Sequence, residues 1–258
     1  MDQTLPTAIY PSLKGKVVVV TGGASGIGEA IVEAFARQQA RVVFLDIQDK
    51  AADALVQRLQ QAGCAPVKYS HCDLTDIGAL QRVMGEMLQS FPAVDILVNN
   101  AGNDTRHAIE EVTSDYWDRC MQLNLKHQFF MAQAVLPGMR QARSGAIINM
   151  SSIGWIIPST RMPVYVTAKA AVVGMTRTLA HEVGGDGIRV NAVLPGAILT
   201  DRQRELWFTE EYKQQILSRQ ALKRMILPEE VAKLILFLGS DESLAMTNQS
   251  FIIDGGWV

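Results

Sequence analysis

Cysteine, histidine, aromatic residues and net charge are all scarce in this 258-residue chain, and each scarcity removes a class of protein. Cys64, Cys72 and Cys120 are odd in number and too scattered for a disulfide framework or a CxxC metal knuckle, so they read as free thiols in a reducing compartment. His71, His107, His127 and His181 show no ligand spacing, and no metal is expected. A formal net charge of -2 offers no basic field for a nucleic-acid backbone or an anionic membrane, which leaves a small molecule as the expected partner. No apolar run is long enough to span a bilayer, and residues 1–14 carry Asp2 and resemble neither a secretion signal nor a presequence. A cytoplasmic protein is expected.

What is present suffices for a full core: 48% of the residues are hydrophobic and 19% charged. From Lys16 onward, short β-branched runs alternate with longer amphipathic segments, the sequence form of a parallel sheet wrapped by helices. Strands are expected at Val17 to Thr21, Arg41 to Leu45, Val67 to His71, Ile96 to Asn99, Gly145 to Met150, Arg189 to Leu194 and Ser250 to Ile253. Helices are expected near Gly26 to Gln38, Lys50 to Gln61, Ile77 to Ser90, Ser114 to Gln141, Val164 to Glu182 and Pro228 to Gly239. This is an α/β, Rossmann-type, doubly wound seven-stranded parallel sheet in one domain, 15–258, behind a short extension, 1–14. Residues 197–224 interrupt the alternation and are expected to form one or two short helices as a lid over a site.

The first strand runs into Thr21-Gly22-Gly23-Ala24-Ser25-Gly26-Ile27-Gly28 and then into a helix. Gly22 permits the tight turn, Gly26 lets backbone approach a diphosphate and Gly28 allows close helix packing, while unbonded N–H groups face the anion. A glycine-rich turn alone could be a plain strand-to-helix connection. The second strand is followed by Asp46, 18 positions after Gly28, where a carboxylate can accept both ribose hydroxyls of NAD and repel a 2′-phosphate. NAD is therefore expected over NADP.

Tyr165 and Lys169 lie four apart at a helix start that opens with Pro163, so their side chains share a face. A phenol titrates at about 10, and a neighbouring ammonium, with the positive nicotinamide, would favour the phenolate and suit it to act as a base. Ser152 follows the fifth strand at the carboxyl edge of the sheet, where ligands sit in such folds, and could orient a substrate oxygen. Ser151 beside it is the competing choice, with a turn as its other role.

These residues together resemble the short-chain dehydrogenase/reductase family in its compact form. The motifs are the glycine turn, Asp73, Asn99-Asn100-Ala101-Gly102, Asn124, Ser152, Tyr165 with Lys169, and Pro195-Gly196. The resemblance implies that Asp73 bonds an adenine amino group and that Asn100, Ala101 and Gly102 line the adenosine ribose. It implies that Ser25, Ile27, Ile47 and Leu74 complete that shell, and that Pro195, Ile198 and Thr200 sit against the nicotinamide. It further implies a catalytic set of Asn124, Ser152, Tyr165 and Lys169, in which Asn124 breaks its helix so that a water reaches Lys169. A homotetramer packed through the last strand is implied as well, although Thr247-Asn248-Gln249 replaces the more usual Thr-Gly-Gln before it.

Within the family, the segment 8–16, Asn103-Asp104 with Arg106-His107, and Arg202-Gln203, Trp207, Gln220 and Leu222-Lys223 are similar to bacterial NAD-dependent sugar 1-dehydrogenases. That resemblance implies oxidation of an aldose at its anomeric hydroxyl to the lactone, with Asn103, Ser152, Trp155, Tyr165 and Arg202 on the substrate. Asn103 is the favoured sugar contact. Arg106 and His107 could equally be solvated, and Trp155 and Trp207 could pack the lid. Two alternatives stand beside it: an NAD(P)-dependent dehydrogenase or reductase of another alcohol or ketone (a ketodeoxy sugar acid, polyol or 3-ketoacyl substrate), and a non-catalytic NAD-binding regulator. The retention of both Tyr165 and Lys169 counts against the regulator.

Overall fold

The computed structural model describes residues 8–91, 93–206 and 209–258. Seven parallel strands form one sheet: β1 (Val17–Thr21), β2 (Arg41–Asp46), β3 (Val67–His71), β4 (Ile96–Asn99), β5 (Gly145–Met150), β6 (Ile188–Pro195) and β7 (Ser250–Ile253). Their order is β3-β2-β1-β4-β5-β6-β7. The chain winds outward from β1 in one direction through β3 and in the other from β4, which leaves a crevice between the carboxyl ends of β1 and β4, the usual ligand position in such sheets.

Period-two side-chain alternation distributes the inner strands between two cores. Val18, Val20, Val42, Phe44 and Ile148 pack on one face with α1 (Gly26–Arg37), α2 (Asp49–Gln61) and α9 (Pro228–Gly239). Val17, Val19, Val43, Leu97 and Ile147 pack on the other with α3 (Ile77–Ser90), α5 (His127–Ala142) and α6 (Pro163–Val183). Because both faces are covered, β1 and β6 are buried along their whole length. That explains why they read as continuous apolar runs.

The expected strands hold, with β2 reaching Asp46 and β6 extended to Ile188–Pro195. The expected single helix from Ser114 to Gln141 is a correction. It consists of α4 (Ser114–Met121), a π-helical turn at Gln122–Lys126, and α5. The remaining helices, α7 (Asp201–Leu206) and α8 (Glu210–Arg219), lie in the irregular segment 197–224, as expected. Asn248 takes a left-handed conformation (φ 59°), one that glycine adopts freely and asparagine tolerates. Among the described residues no helix is long and apolar enough to cross a membrane.

Candidate active site

At the carboxyl end of β1 the backbone turns through Gly22 (φ 66°) and Gly26 (φ 59°), conformations that side chains rarely adopt. A Cβ on Gly28 would collide with the Gly22 carbonyl and the Asn100 amide, so Gly28 is a close-approach position. The loop is held from behind. Asn100 donates its side-chain amide to the Thr21 and Gly22 carbonyls (3.1 and 2.9 Å), and the Thr21 hydroxyl accepts from the N–H groups of Asn100 and Ala101 (3.0 and 3.1 Å). The Asn100 side chain thus braces the loop as well as bordering the cleft.

Asp46 is almost fully buried at the end of β2. Its carboxylate accepts from Ala24 N (2.9 Å), Ile47 N (2.8 Å) and Gln48 N (3.0 Å), which fixes a negative charge beside the glycine turn. Asp73 is held similarly by the N–H and hydroxyl of Thr75 (2.9 and 2.7 Å). A continuous cleft of about 990 Å³ runs along this edge. All the expected cofactor residues border it, from Gly22, Ser25, Gly26, Ile27 and Gly28 through Asp46, Ile47, Asp73 and Leu74, past Asn100, Ala101 and Gly102, to Pro195, Ile198 and Thr200. A donor-rich glycine turn, a carboxylate and a long groove fit a nicotinamide dinucleotide.

At the other end of the cleft, Tyr165 and Lys169 lie one turn apart in α6, with the Lys169 Nζ 5.5 Å from the phenol ring centre. Lys169 is buried and donates to the Met150 carbonyl (3.0 Å). Burial holds its ammonium down to about 8, countered by Cys120 and Asp104. The Tyr165 phenol is pushed above its ordinary range, first by burial and then by the negative charge of Asp104. A hydrogen bond with Ser152 works in the opposite direction. In the chain alone desolvation is the largest influence on the phenol, which leaves the phenolate to be favoured by Lys169 together with the positive charge that a bound nicotinamide would bring.

Ser152 also accepts from Gly154 N (3.0 Å) and borders the cleft, whereas Ser151 donates to the Lys169 carbonyl (2.7 Å) and is committed to α6. Both serines border the cleft, but the Ser151 hydroxyl is taken by α6, whereas the Ser152 hydroxyl faces Gly154 and Tyr165. The π turn places Asn124 against the loop after β4. Its Oδ1 accepts from Asn103 N (2.9 Å), and its amide donates to the carbonyls of Asn103 (3.2 Å) and Cys120 (3.0 Å). Gly102 keeps this junction open, since a Cβ there would lie 3.0 Å from Asn124 Oδ1 and 3.1 Å from Lys169 Nζ.

The expected substrate residues divide. Asn103 and Arg202 border the cleft and bind each other, Arg202 Nη2 donating to Asn103 Oδ1 (2.8 Å). Trp155 does not join them; it lies on the outer side of the turn after β5 with 37% of its surface exposed. His107 is buried, edge-on to the Tyr116 ring, with its Nδ1 against the Ala108 carbonyl, so it presents no group to the cleft. Trp207 lies outside the described residues. The sequence reading passed over Trp257, Met162, Ile157 and Tyr212, all on the cleft. Trp257 reaches the cleft because Asp254 accepts from the N–H groups of Gly256 and Val258 (2.8 and 2.9 Å), which folds the tail back over the edge.

With this fold, turn and tyrosine-lysine pair established, the chain belongs to the short-chain dehydrogenase/reductase family of oxidoreductases; the enoyl-(acyl carrier protein) reductase profile within it matches residues 22–258. Among its relatives, the D-xylose 1-dehydrogenase of Caulobacter vibrioides is 49% identical over 98% of this chain and 100% of its own. A Rhizobium meliloti protein described as a probable galactose dehydrogenase is 47% identical over 98% of this chain and 99% of its own. Among solved structures, the L-sorbose reductase of Gluconobacter frateurii, complexed with NADPH and L-sorbose, superposes with a TM-score of 0.90 at 32% identity, covering 97% of this chain and 99% of that one.

Proposed function

We propose that this chain is an NAD-dependent aldose 1-dehydrogenase that oxidises the anomeric hydroxyl of a sugar to the lactone. The observation that carries the reading is the pairing, in one cleft, of the Ser152, Tyr165 and Lys169 set with the buried Asp46 carboxylate beside the glycine turn. The xylose and galactose dehydrogenase relatives support the choice of a sugar.

The residues from Gly22 to Gly28 would hold the diphosphate, Asp46 would take the ribose hydroxyls, and Asp73, Leu74 and Ile47 would border the adenine. Pro195, Ile198 and Thr200 would flank the nicotinamide, and Asn100, Ala101 and Gly102 would line the adenosine ribose. A bound oxidised nicotinamide would supply the acceptor for the hydride leaving the sugar C1 and a positive charge favouring the Tyr165 phenolate. The phenolate oxygen of Tyr165 takes the proton of the anomeric hydroxyl as the C1–H bond breaks and C1=O forms. Ser152 holds that oxygen, and Lys169 stabilises the phenolate from across the ring. Asn124 keeps Lys169 within reach of solvent protons through the opening beside Gly102. Asn103 and Arg202 face the remaining hydroxyls, under a lid formed by 197–224.

We read the working form as a cytoplasmic homotetramer; the exposure of Trp117 and Phe129 on neighbouring helices and of Ile252 on the edge strand β7 supports association of copies. Light scattering coupled to size exclusion checks the assembly. The activity is tested by offering purified protein a panel of aldoses with NAD and NADP separately and following absorbance of the reduced nicotinamide. Turnover of at least one pentose or hexose with NAD is expected, and turnover of no aldose overturns the reading.

A further inference from the structure

The loop after β4 places Asp104 in the cleft that holds Tyr165, and two neighbouring residues of α7 hold it there. Gln203 Nε2 donates to its Oδ2 at 3.1 Å, and Arg202 Nη2 lies 3.7 Å from its Oδ1. The carboxylate remains partly exposed, with 26% of its side-chain surface open. It is close enough for its charge to act on the phenol.

The cations at this end of the cleft are already engaged. Arg106 lies over the Tyr212 ring and donates to the Tyr212 hydroxyl (3.2 Å), Arg202 is shared between Asn103 and Asp104, and Lys169 is on the Met150 carbonyl. Asp201 and Glu205 border the same cleft, so the loop and α7 present three acids beside the three cations Arg106, Arg202 and Lys169. An ionised carboxylate is an acceptor only, with two oxygens that suit a pair of neighbouring hydroxyls, and it repels a second anion brought into the same enclosure.

We propose that Asp104 sets the charge class of the substrate: it accepts hydrogen bonds from a neutral polyhydroxyl chain and turns away substrates that carry a carboxylate or phosphate. The proposal rests on the dehydrogenase reading above and deepens it, since it selects free sugars and polyols over sugar acids and phosphorylated sugars.

The test compares kcat/KM for D-galactose and D-galacturonate, which differ in charge at C6, in the wild type, Asp104→Asn and Arg202→Gln. Both substitutions break the same contact between loop and lid, but only the first removes the anion. Asp104→Asn is expected to raise the galacturonate-to-galactose ratio about tenfold or more, mainly through KM. Arg202→Gln leaves the carboxylate without its cation and is expected to lower that ratio. A ratio that moves the same way in both variants, or in neither, makes Asp104 a lid fastener only and overturns the proposal. Should the wild type oxidise no aldose, the sugar reading falls, and glycerol against glycerate carries the same contrast for Asp104.

Discussion

The two ends of the cleft are held by different kinds of interaction. At the cofactor end, Asp46 is tied to Ala24, Ile47 and Gln48, and Asp73 to Thr75, with every donor a backbone or side-chain group of a neighbouring turn. At the substrate end, the contacts are side chain to side chain across long sequence separations: Arg202 reaches Asn103 and Gln203 reaches Asp104 over 99 positions, and Arg106 meets Tyr212 over 106. Backbone-held groups stay placed when one side chain changes, whereas a clasp of side chains is lost with any one of its members. The first end therefore suits a common ligand, and the second can be retuned for different substrates.

The strongest way to break this comparison is at the point where the ends meet. Tyr165→Phe keeps the ring and removes the oxygen, and is expected to lower kcat by about 10²–10⁴-fold while NAD affinity, followed by fluorescence titration, stays close to wild type. A near-normal rate would remove Tyr165 as the acid/base.

Asp46→Ala should lower the NAD-to-NADP ratio of kcat/KM by about 10–100-fold, corresponding to about 1.4–2.8 kcal/mol. An unchanged preference would show that some other group excludes the 2′-phosphate.

Lys169→Met should lose activity yet gain stability. Lys169 sits near 8 in the folded chain against an ordinary 10.5, so between these values the unfolded chain binds more protons, and raising the pH favours folding. Below pH 8 the buried ammonium carries its full cost, and removing it should stabilise the protein by about 1–3 kcal/mol at pH 7, after the lost bond to the Met150 carbonyl is deducted. Denaturant unfolding should show the advantage shrinking as pH rises from 8 to 10.5. An advantage independent of pH would rule out this cause.

The smallest effect sharpens the comparison. Arg106→Leu removes one strut of the substrate end and should raise the sugar KM about 2–10-fold, in keeping with a hydrogen bond worth about 0.5–1.5 kcal/mol. The NAD KM should not move; if it does, the two ends are not separable.

Legibility in the sequence follows the same division. The strands showed as β-branched runs because both faces of the sheet are covered, and Gly22, Gly26 and Asp46 showed because a local turn imposes strict residue choices. Tyr165 and Lys169 showed because one helical turn separates them. The π turn at Gln122–Lys126 did not show in the periodicity, which reads as one unbroken helix; only the family resemblance implied a break at Asn124, whose bonds to Asn103 join distant segments. Trp155 and His107 were misplaced because polarity and aromaticity do not reveal which side of a loop faces inward.

The sequence by itself therefore determined the alternating fold, the glycine turn, the carboxylate at Asp46 and the tyrosine-lysine pair, all specified by short-range backbone geometry. Only the tertiary structure decided between Ser151 and Ser152, raised the Tyr165 phenol above its ordinary range, folded Trp257 back onto the cleft and joined Asp104 to Arg202 and Gln203. Those outcomes depend on burial and on contacts between distant segments, and neither exists until the chain has closed on itself.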